Sequence, residues 1–560
     1  MALQARGLLV TGDPLSILGY RDIYFVFRQS KMMRARCLKR LVTFLSDETA
    51  LFLTSRQSML LIRTIGAASL LVLGLLAPGK AIAFGLEDVD REARARLSQP
   101  WQPVPELANL AGGYDEWRDL RFRRDRALWL GQQRKFEAQF YPAGSFHNRP
   151  VEMFEVADGK VTALQYTRGD FLLGAQQPVN NPMPKPLAGA RLLYPLNRPD
   201  HHDEVISFLG ASYFRALGQG QQYGSSARGL AINTTGGVPE EFPKFVRLWL
   251  VRPAAGAAQA TVFALLDSPS ATGAYQFDIR PGPTTLVDVQ ARIYLRRDVV
   301  TLGIAPLTSM FFSGENQPVA GDFRPEVHDA DGLQMAMADG EWIWRPLLRP
   351  ASPFVTSFAT RSVRGFGLMQ RDQQFENYQD LEARYHRRPS VWVEPLGDWG
   401  AGRVELLQLP ARSETDDNIV AFWVPAALPP KGQALALSWR LHWAGTDKPL
   451  PPGAYAVQTR VGHGHRDVPA PRNQQQLQVD FAGPSLRALD ADAKVQAVFS
   501  AASGVRVLDV RTEPNPSSRG WRMTVEFERI DSRASAELRA YLRHGNDTLT
   551  ETWSYALPPL

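Results

Sequence analysis

Residues 414–424 read Glu414-Thr-Asp-Asp-Asn-Ile-Val-Ala-Phe-Trp-Val424, five polar residues running straight into six apolar ones. Ile419 to Val424 reads as a buried β-strand, rich in β-branched and aromatic residues. A buried strand fixes its first residue, and so fixes where the carboxylates just before it point. Three carboxylates within four positions repel one another and stay solvated unless something uses them. Two readings stand at this point. The run is an acidic loop capping a core strand, or it holds an acid at a strand mouth near tryptophan, suited to giving a proton to a sugar.

Strand-like runs extend outward on both sides. Lys244 to Val251, Ala260 to Leu266, Thr285 to Tyr294 and Val404 to Leu409 alternate or are β-branched, and Gly, Pro, Asn and Asp punctuate them. Helical pattern is confined to Leu86–Leu97 and Glu376–Arg384. The expected class is mainly β, a sandwich or curved double sheet. Asp447-Lys-Pro-Leu-Pro-Pro-Gly453 reads as a linker, which divides the chain into residues 84–446, a linker at 447–454 and residues 455–560. The last segment carries short strands at Gln476–Phe481, Val498–Phe499, Val505–Val510 and Trp521–Phe527. That spacing suits an immunoglobulin-like sandwich, although no cysteine pair marks it.

From Met59 the chain reads MLLIRTIGAASLLVLGLLAPGKAIAFGLEDV. Arg63 supplies a positive start, Ile65–Ala77 is an uncharged apolar run, and Ala81-Ile82-Ala83 is an A-x-A cleavage site. The run is too short to span a bilayer comfortably. Residues 59–83 are therefore expected to be a signal peptide, with the mature chain starting at Phe84 and no membrane anchor left after cleavage. No Arg-Arg pair directly precedes the run, which favours general secretion over the twin-arginine route. Residues 1–58 look like neither a domain nor a linker and are expected to be an over-extended translation start, with Met59 the true start.

Removing residues 1–83 changes the charge argument. Of the 63 Lys+Arg and 57 Asp+Glu, that segment holds 11 and 4, which leaves 52 and 53 and a net charge of −1. Nucleic acid and anionic membrane lose their electrostatic support as partners. Cys37, the one cysteine, goes as well, and with it disulfides, thiolate chemistry and cysteine-ligated metal. An exported chain without cysteine fits a Gram-negative periplasm.

Candidate chemistry concentrates in a few places. All thirteen tryptophans lie beyond residue 83, as expected either for a glycan-binding sandwich or for a well-filled core. In Glu341-Trp-Ile-Trp-Arg345 a strand would put Trp342 and Trp344 on one face, as a sugar platform or a core face, with Arg345 on the other. Glu326-Val-His-Asp329-Ala-Asp-Gly332 sets His328 between carboxylates, as half of an acid/base pair or as an ordinary turn. His463-Gly-His465 and His201-His202 lack metal-ligand spacing, so no metal or cofactor is expected. Gly218-Gln-Gly220 lacks the strand-to-helix setting of a dinucleotide loop, and Gly224-Ser-Ser226 is no nucleophile elbow.

Several long stretches together resemble one family, the osmoregulated periplasmic glucan biosynthesis proteins, members G and D. They are LLYPLNRPDHHDEVISFLGASYFRALGQGQQYGSSARGLAI from Leu192, ALLDSPSATGAY from Ala264, GIAPLTSMFFSGENQP from Gly303 and FRPEVHDADGL from Phe323. GEWIWRPL from Gly340, RRPSVWVEPLGDWG from Arg387, SETDDNIVAFW from Ser413 and LTETWSYALP from Leu549 complete the set. The ordinary signal peptide favours the G member. The resemblance implies a large N-terminal β-sandwich of glycoside-hydrolase, galactose-mutarotase-like type with a long cleft, followed by an immunoglobulin-like sandwich. It implies an inverting, endo-acting hydrolase of β-1,2-glucan, with Asp417 as general acid and Asp329 as general base acting through water. Glu414 and Tyr385 fall at positions lining the reacting centre, and His328, Trp342, Trp344 and Arg345 complete the supporting or substrate-binding candidates. Asp416 stands where a relative has Asn, and repulsion from Glu414 and Asp416 is expected to raise the Asp417 pKa. The partners implied are β-1,2-linked glucan and an inner-membrane glucan synthase. Two rivals stand beside the hydrolase, a non-hydrolytic glucan-binding component serving the synthase and a transglycosylase.

Overall fold

Ile419–Pro425 is a strand, buried from Ile419 to Val424, inside a ten-stranded sheet. It pairs antiparallel with Leu302–Ser309 on one side and Gly402–Gln408 on the other. The computed structural model describes residues 84–107, 120–144, 146–173, 185–463, 471, 473–490 and 492–559. The expected extension at 1–58, the signal peptide at 59–83 and its cleavage site, and His465, lie outside the described residues.

Facing this sheet is a fifteen-stranded one that contains Lys244–Val251, Ala260–Asp267, Ala271–Arg280 and Thr285–Leu295 in antiparallel succession. Alternation explains the arrangement. In Thr285–Leu295, Val287, Val289, Ala291 and Ile293 turn to the buried face while the residues between them are more exposed. They share one buried cluster with Ile304, Leu307, Ala421 and Trp423 of the ten-stranded sheet. Each buried Val, Ile or Leu among them contributes about 1.5–3 kcal/mol by leaving water. The class is mainly β, built as sandwiches.

Leu86–Leu97 forms the expected helix, with Glu87 and Asp88 in its first turn and Arg94 and Arg96 in its last, which suits the helix dipole. Val89 and Ala93 pack on the outer face of the fifteen-stranded sheet against Val246, Trp249 and Phe263. The helix expected at Glu376–Arg384 does not form. Gln379 and Arg384 take positive φ angles of 56° and 49°, which a right-handed helix does not admit. The Asp380 carboxylate accepts from the Glu382 and Ala383 N–H groups, offering the backbone a turn instead. What remains is two 3₁₀ turns, Phe375–Asn377 and Tyr385–Arg387.

The C-terminal strands form two layers. Tyr455–Gly462, Gln474–Ala482, Gly520–Arg529 and Val505–Asn515 make a four-stranded sheet. Val495–Ala501, Ala536–His544 and Thr552–Leu557 instead extend the fifteen-stranded sheet, joined by parallel pairing of Trp342–Pro346 with Thr552–Leu557. Leu477, Val479, Met523, Phe527, Leu538 and Trp553 fill the space between the layers. The Pro/Gly-rich connection is fastened: Lys448 Nζ donates to the Gln370 carbonyl at 2.9 Å, and Gln334 Nε2 donates to the Pro449 carbonyl at 2.8 Å.

Candidate active site

The acidic run is sorted by its partners. Asn418, 1% exposed, anchors the loop at the start of the strand. Its Oδ1 accepts from the Phe311 N–H at 2.9 Å, and its Nδ2 donates to the carbonyls of Phe311 (3.0 Å) and Leu409 (3.1 Å). Asp416 turns back into the loop, where Oδ2 accepts from the N–H groups of Arg412 (2.8 Å) and Ser413 (3.3 Å). Glu414 Oε2 accepts from Arg324 Nη1 at 2.5 Å and from the Tyr385 hydroxyl at 2.9 Å. Asp417 is left exposed, and among the described residues no hydrogen bond ties its carboxyl.

Asp329 lies in the turn after the short strand Val327–His328 and is buried. Its N–H donates to the Met310 carbonyl at 2.9 Å. Met310 precedes Phe311, the residue that Asn418 grips, so adjacent residues of one segment hold the segments of both aspartates. Arg388 donates to Asp329 Oδ1, and its guanidinium lies 4.0 Å from the centre of the Tyr385 ring. A closed circuit results: Asp329 to Arg388, Arg388 to Tyr385, Tyr385 to Glu414, and Glu414 back to the acid loop.

The two carboxyls act on each other. Desolvation by the surrounding protein raises the Asp417 pKa, and the negative charge of Asp329 raises it further, while Arg215, Arg228 and Arg388 pull it down. The like charge behind the shift is thus Asp329, and not Glu414 and Asp416 as the sequence suggested, because those two are turned to partners of their own. Burial raises Asp329 in turn, opposed first by Arg388 and more weakly by Arg215. Arg388 and Arg215 act on both aspartates, which places the pair in one electrostatic site.

Arg215 and Arg228 come from the neighbouring strands Tyr213–Ala216 and Ser226–Arg228. Arg228 donates to Thr308 Oγ1 and Glu240 Oε1, both at 2.8 Å, and lies 4.7 Å from the Tyr213 ring centre. Asp417 is among the charges that raise the Tyr213 hydroxyl pKa, after burial. Tyr213 is thus within electrostatic reach of Asp417, whereas Trp423 is sealed in the core.

The other candidates lie elsewhere. His328 is fully buried between Phe311 and Tyr378, with both ring nitrogens engaged, Nδ1 by Gln370 and Nε2 by Glu326, at 2.8 Å each. Trp344 is buried at the junction with the C-terminal sheet, where the Arg371 guanidinium covers it at 3.6 Å. Trp342 stacks on Trp392 with ring centres 5.8 Å apart, and buried Arg345 pairs with Glu537. The face that Trp342 and Trp344 share serves this packing and is not joined to the aspartate pair. Sequence reasoning missed Asn418, Arg388, Arg215, Arg228 and Arg324. Each stands within a motif stretch or beside one, but no local pattern tells which arginine reaches a carboxylate. Among the described residues, no group of three or more His, Cys, Asp or Glu is arranged to hold a metal ion.

Fold and site together define a β-sandwich protein with two interacting carboxyl groups, one open to solvent and one clamped by arginine. The chain belongs to the family described as periplasmic glucan biosynthesis protein, MdoG, whose family model matches residues 84–557. It is 48% identical to a glucans biosynthesis protein G of Ralstonia nicotianae, over 87% of this chain and 99% of that one. It is 42% identical to the protein of that name in Sodalis glossinidius, over 89% and 97% of the two chains. The counterpart in Dickeya dadantii is 40% identical over 90% and 98%.

Proposed function

We propose that this protein is an endo-acting, anomer-inverting hydrolase of β-1,2-glucan that processes the backbone of periplasmic glucans. It would be exported by the signal at 59–83 and meet its substrate where the membrane synthase delivers it. The reaction is assigned to residues 84–446, followed by an immunoglobulin-like segment at 455–560. One observation carries the reading: the Asp417 carboxyl is open to solvent and free of hydrogen bonds, while Asp329 is buried and clamped by Arg388, with burial raising the pKa of both. That division suits an acid and a base with separate tasks.

In the reaction, Asp417 gives its proton to the glycosidic oxygen as the bond from that oxygen to the anomeric carbon breaks. A water attacks the opposite face of the carbon, and its proton passes to Asp329 through intervening water. Buried and held by Arg388, Asp329 is better placed for such relayed transfer than for touching the nucleophile. Tyr385 and Glu414 brace the acid loop across the gap.

Incubating residues 84–560 with linear β-1,2-glucan should release shorter oligosaccharides, with new reducing ends of inverted configuration by NMR. Retained configuration would point to a transglycosylase. One observation favours a second reading, a glucan-binding component of synthesis. The Asp329 carboxylate is already engaged by Arg388, and such a pair also suits holding sugar hydroxyls. Tight glucan binding with no new reducing ends would decide for it.

A further inference from the structure

Behind Asp329 lies a chain of buried and half-buried polar groups that the reaction does not touch. It begins in the C-terminal sheet, where the Thr459 N–H donates to Glu315 Oε1 at 2.9 Å. Glu315 lies beside Glu326, close enough that each carboxyl shifts the other's titration. Glu326 Oε2 meets His328 Nε2, and His328 Nδ1 meets Gln370 Oε1, both at 2.8 Å. Gln370 Nε2 donates to the carbonyls of His328 (3.1 Å) and Tyr385 (3.2 Å). The chain thus runs from the C-terminal sheet to the residue before Asp329 and to the turn that presents Tyr385 and Arg388.

Donor and acceptor chemistry fixes its polarity. Two carbonyls require the Gln370 NH₂ group, so Oε1 faces His328 and Nδ1 carries the hydrogen. Nε2 then either donates to a Glu326 carboxylate or accepts from the protonated acid, the uncharged form of the pair. The surroundings favour that form. Burial and the charges of Asp372 and Asp331 raise the Glu326 pKa to about 8, and Arg460 opposes them. Glu315, raised to about 7, borders Glu326, and Tyr378 packs on the His328 ring. Asp331, raised to about 6, stands beside Arg371, and Lys448, lowered to about 8, lies within reach of Asp331 and Asp372.

We propose that Glu315, Glu326, His328 and Gln370 are positioning residues through which the C-terminal sheet holds the Asp329 and Tyr385 turns in register, with Glu326 acting as proton donor to His328. The C-terminal sandwich is then a working part of the site. The inference rests on the hydrolase reading for its kinetic test only.

Glu326→Gln keeps a donor to His328 but cannot lose a proton, whereas Glu326→Ala removes the bond. Glu326→Ala should lower kcat about tenfold, the worth of a misplaced reacting group, with KM little changed, while Glu326→Gln keeps kcat at pH 7. Because the wild-type donor is lost as pH rises through about 8, the ratio of Glu326→Gln to wild-type kcat should climb between pH 7 and 9. Taking the ratio cancels the titration of Asp417, common to both proteins. A flat ratio, or wild-type kcat in Glu326→Ala, overturns the proposal. If Glu326→Ala fails to fold, the Glu326→Gln ratio alone decides. If the wild type does not cleave glucan, the hydrolase reading fails and amide exchange decides the matter. Corrected for intrinsic rates, protection of peptides spanning 326–331 and 385–388 should fall above pH 8 in the wild type and hold in Glu326→Gln. Equal loss in both proteins overturns it.

Discussion

The acid loop at 413–418 and the base turn at 326–331 hold their carboxyl groups in opposite ways. In the loop the backbone is fixed and the carboxyl of the proposed acid is free: Asn418 and Asp416 spend their bonding on main chain, and Asp417 stands open. In the turn the carboxyl itself is held, with Asp329 buried under Arg388 and backed by His328, Gln370 and Glu326. A proton donor has to reach its substrate and be reloaded from solvent. A base that works through water need only keep its charge and its place. Under the proposed roles the contrast follows from those demands, and it can be broken one side at a time.

The largest effect is expected at the two aspartates. Asp417→Asn and Asp329→Asn should each lower kcat by about 10²–10⁴, the usual worth of a positioned acid or base. The contrast between them lies in stability. Asp417→Asn loses no bond and removes a charge that burial and Asp329 disfavour, so Tm should hold or rise slightly. Asp329→Asn leaves Arg388 without its charge partner in a mostly buried setting and should lower Tm measurably. Wild-type cleavage by Asp417→Asn would remove it as the acid.

Asn418→Ala comes next. It strips partners from the Phe311 N–H and from the carbonyls of Phe311 and Leu409. Each unsatisfied buried group costs about 1–3 kcal/mol. Because Asn418 also sets the start of the strand, the loop carrying Asp417 should shift, and a shift of about 1 Å is enough to cost up to 10²-fold in rate. Thermal unfolding and kcat should fall together; a fall in Tm with kcat intact would show that Asn418 only supports the core.

Tyr385→Phe is a smaller change. It removes the hydroxyl bond to Glu414 while keeping the ring under Arg388. A hydrogen bond to a charged group contributes about 1.5–3 kcal/mol, and Arg324 still holds Glu414. A drop in kcat of about tenfold is expected, near the low end of that range, with Tm nearly constant. No change in kcat would mean that the circuit between base turn and acid loop does not bear on the reaction.

The two regions also differ in how far the sequence reveals them. Strands such as Lys244–Val251 and Thr285–Leu295 were legible because alternation and β-branching act locally, and so was the strand that begins at Ile419. The failed helix at Glu376–Arg384 shows the limit: periodicity favoured it, but Asp380 bonded the local backbone and two positive φ angles broke it. The acid loop was legible as a feature, since its carboxylates and the strand that fixes them are adjacent in sequence. From its residues the base turn was legible only as half of an acid/base pair or an ordinary turn, and family resemblance alone picked out Asp329. Its holders, Met310, Arg388, Gln370 and Thr459, come from four separate segments, and pairing across the sheets brings them together. Trp342 and Trp344 share the opposite lesson, since a strand face says which residues travel together but not what they meet.

Asp416 is where the smallest effect is expected, and it tests the contrast most sharply. The charge beside the acid invites the idea that Asp416 tunes it, yet its Oδ2 is committed to the Arg412 and Ser413 N–H groups. The repulsion acting on Asp417 comes from Asp329. Asp416→Asn keeps an oxygen for the same two donors and removes only the charge, so the kcat–pH profile should stay within about twofold of wild type, under 0.5 kcal/mol of barrier. Asp416→Ala loses the loop bonds and should cost about 1 kcal/mol of stability, again without moving the profile. If Asp416→Asn instead shifts the profile to lower pH, as removal of a nearby negative charge would make it do, then Asp416 belongs to the reacting group, and the division between a loop that fixes backbone and a turn that fixes charge fails at that residue.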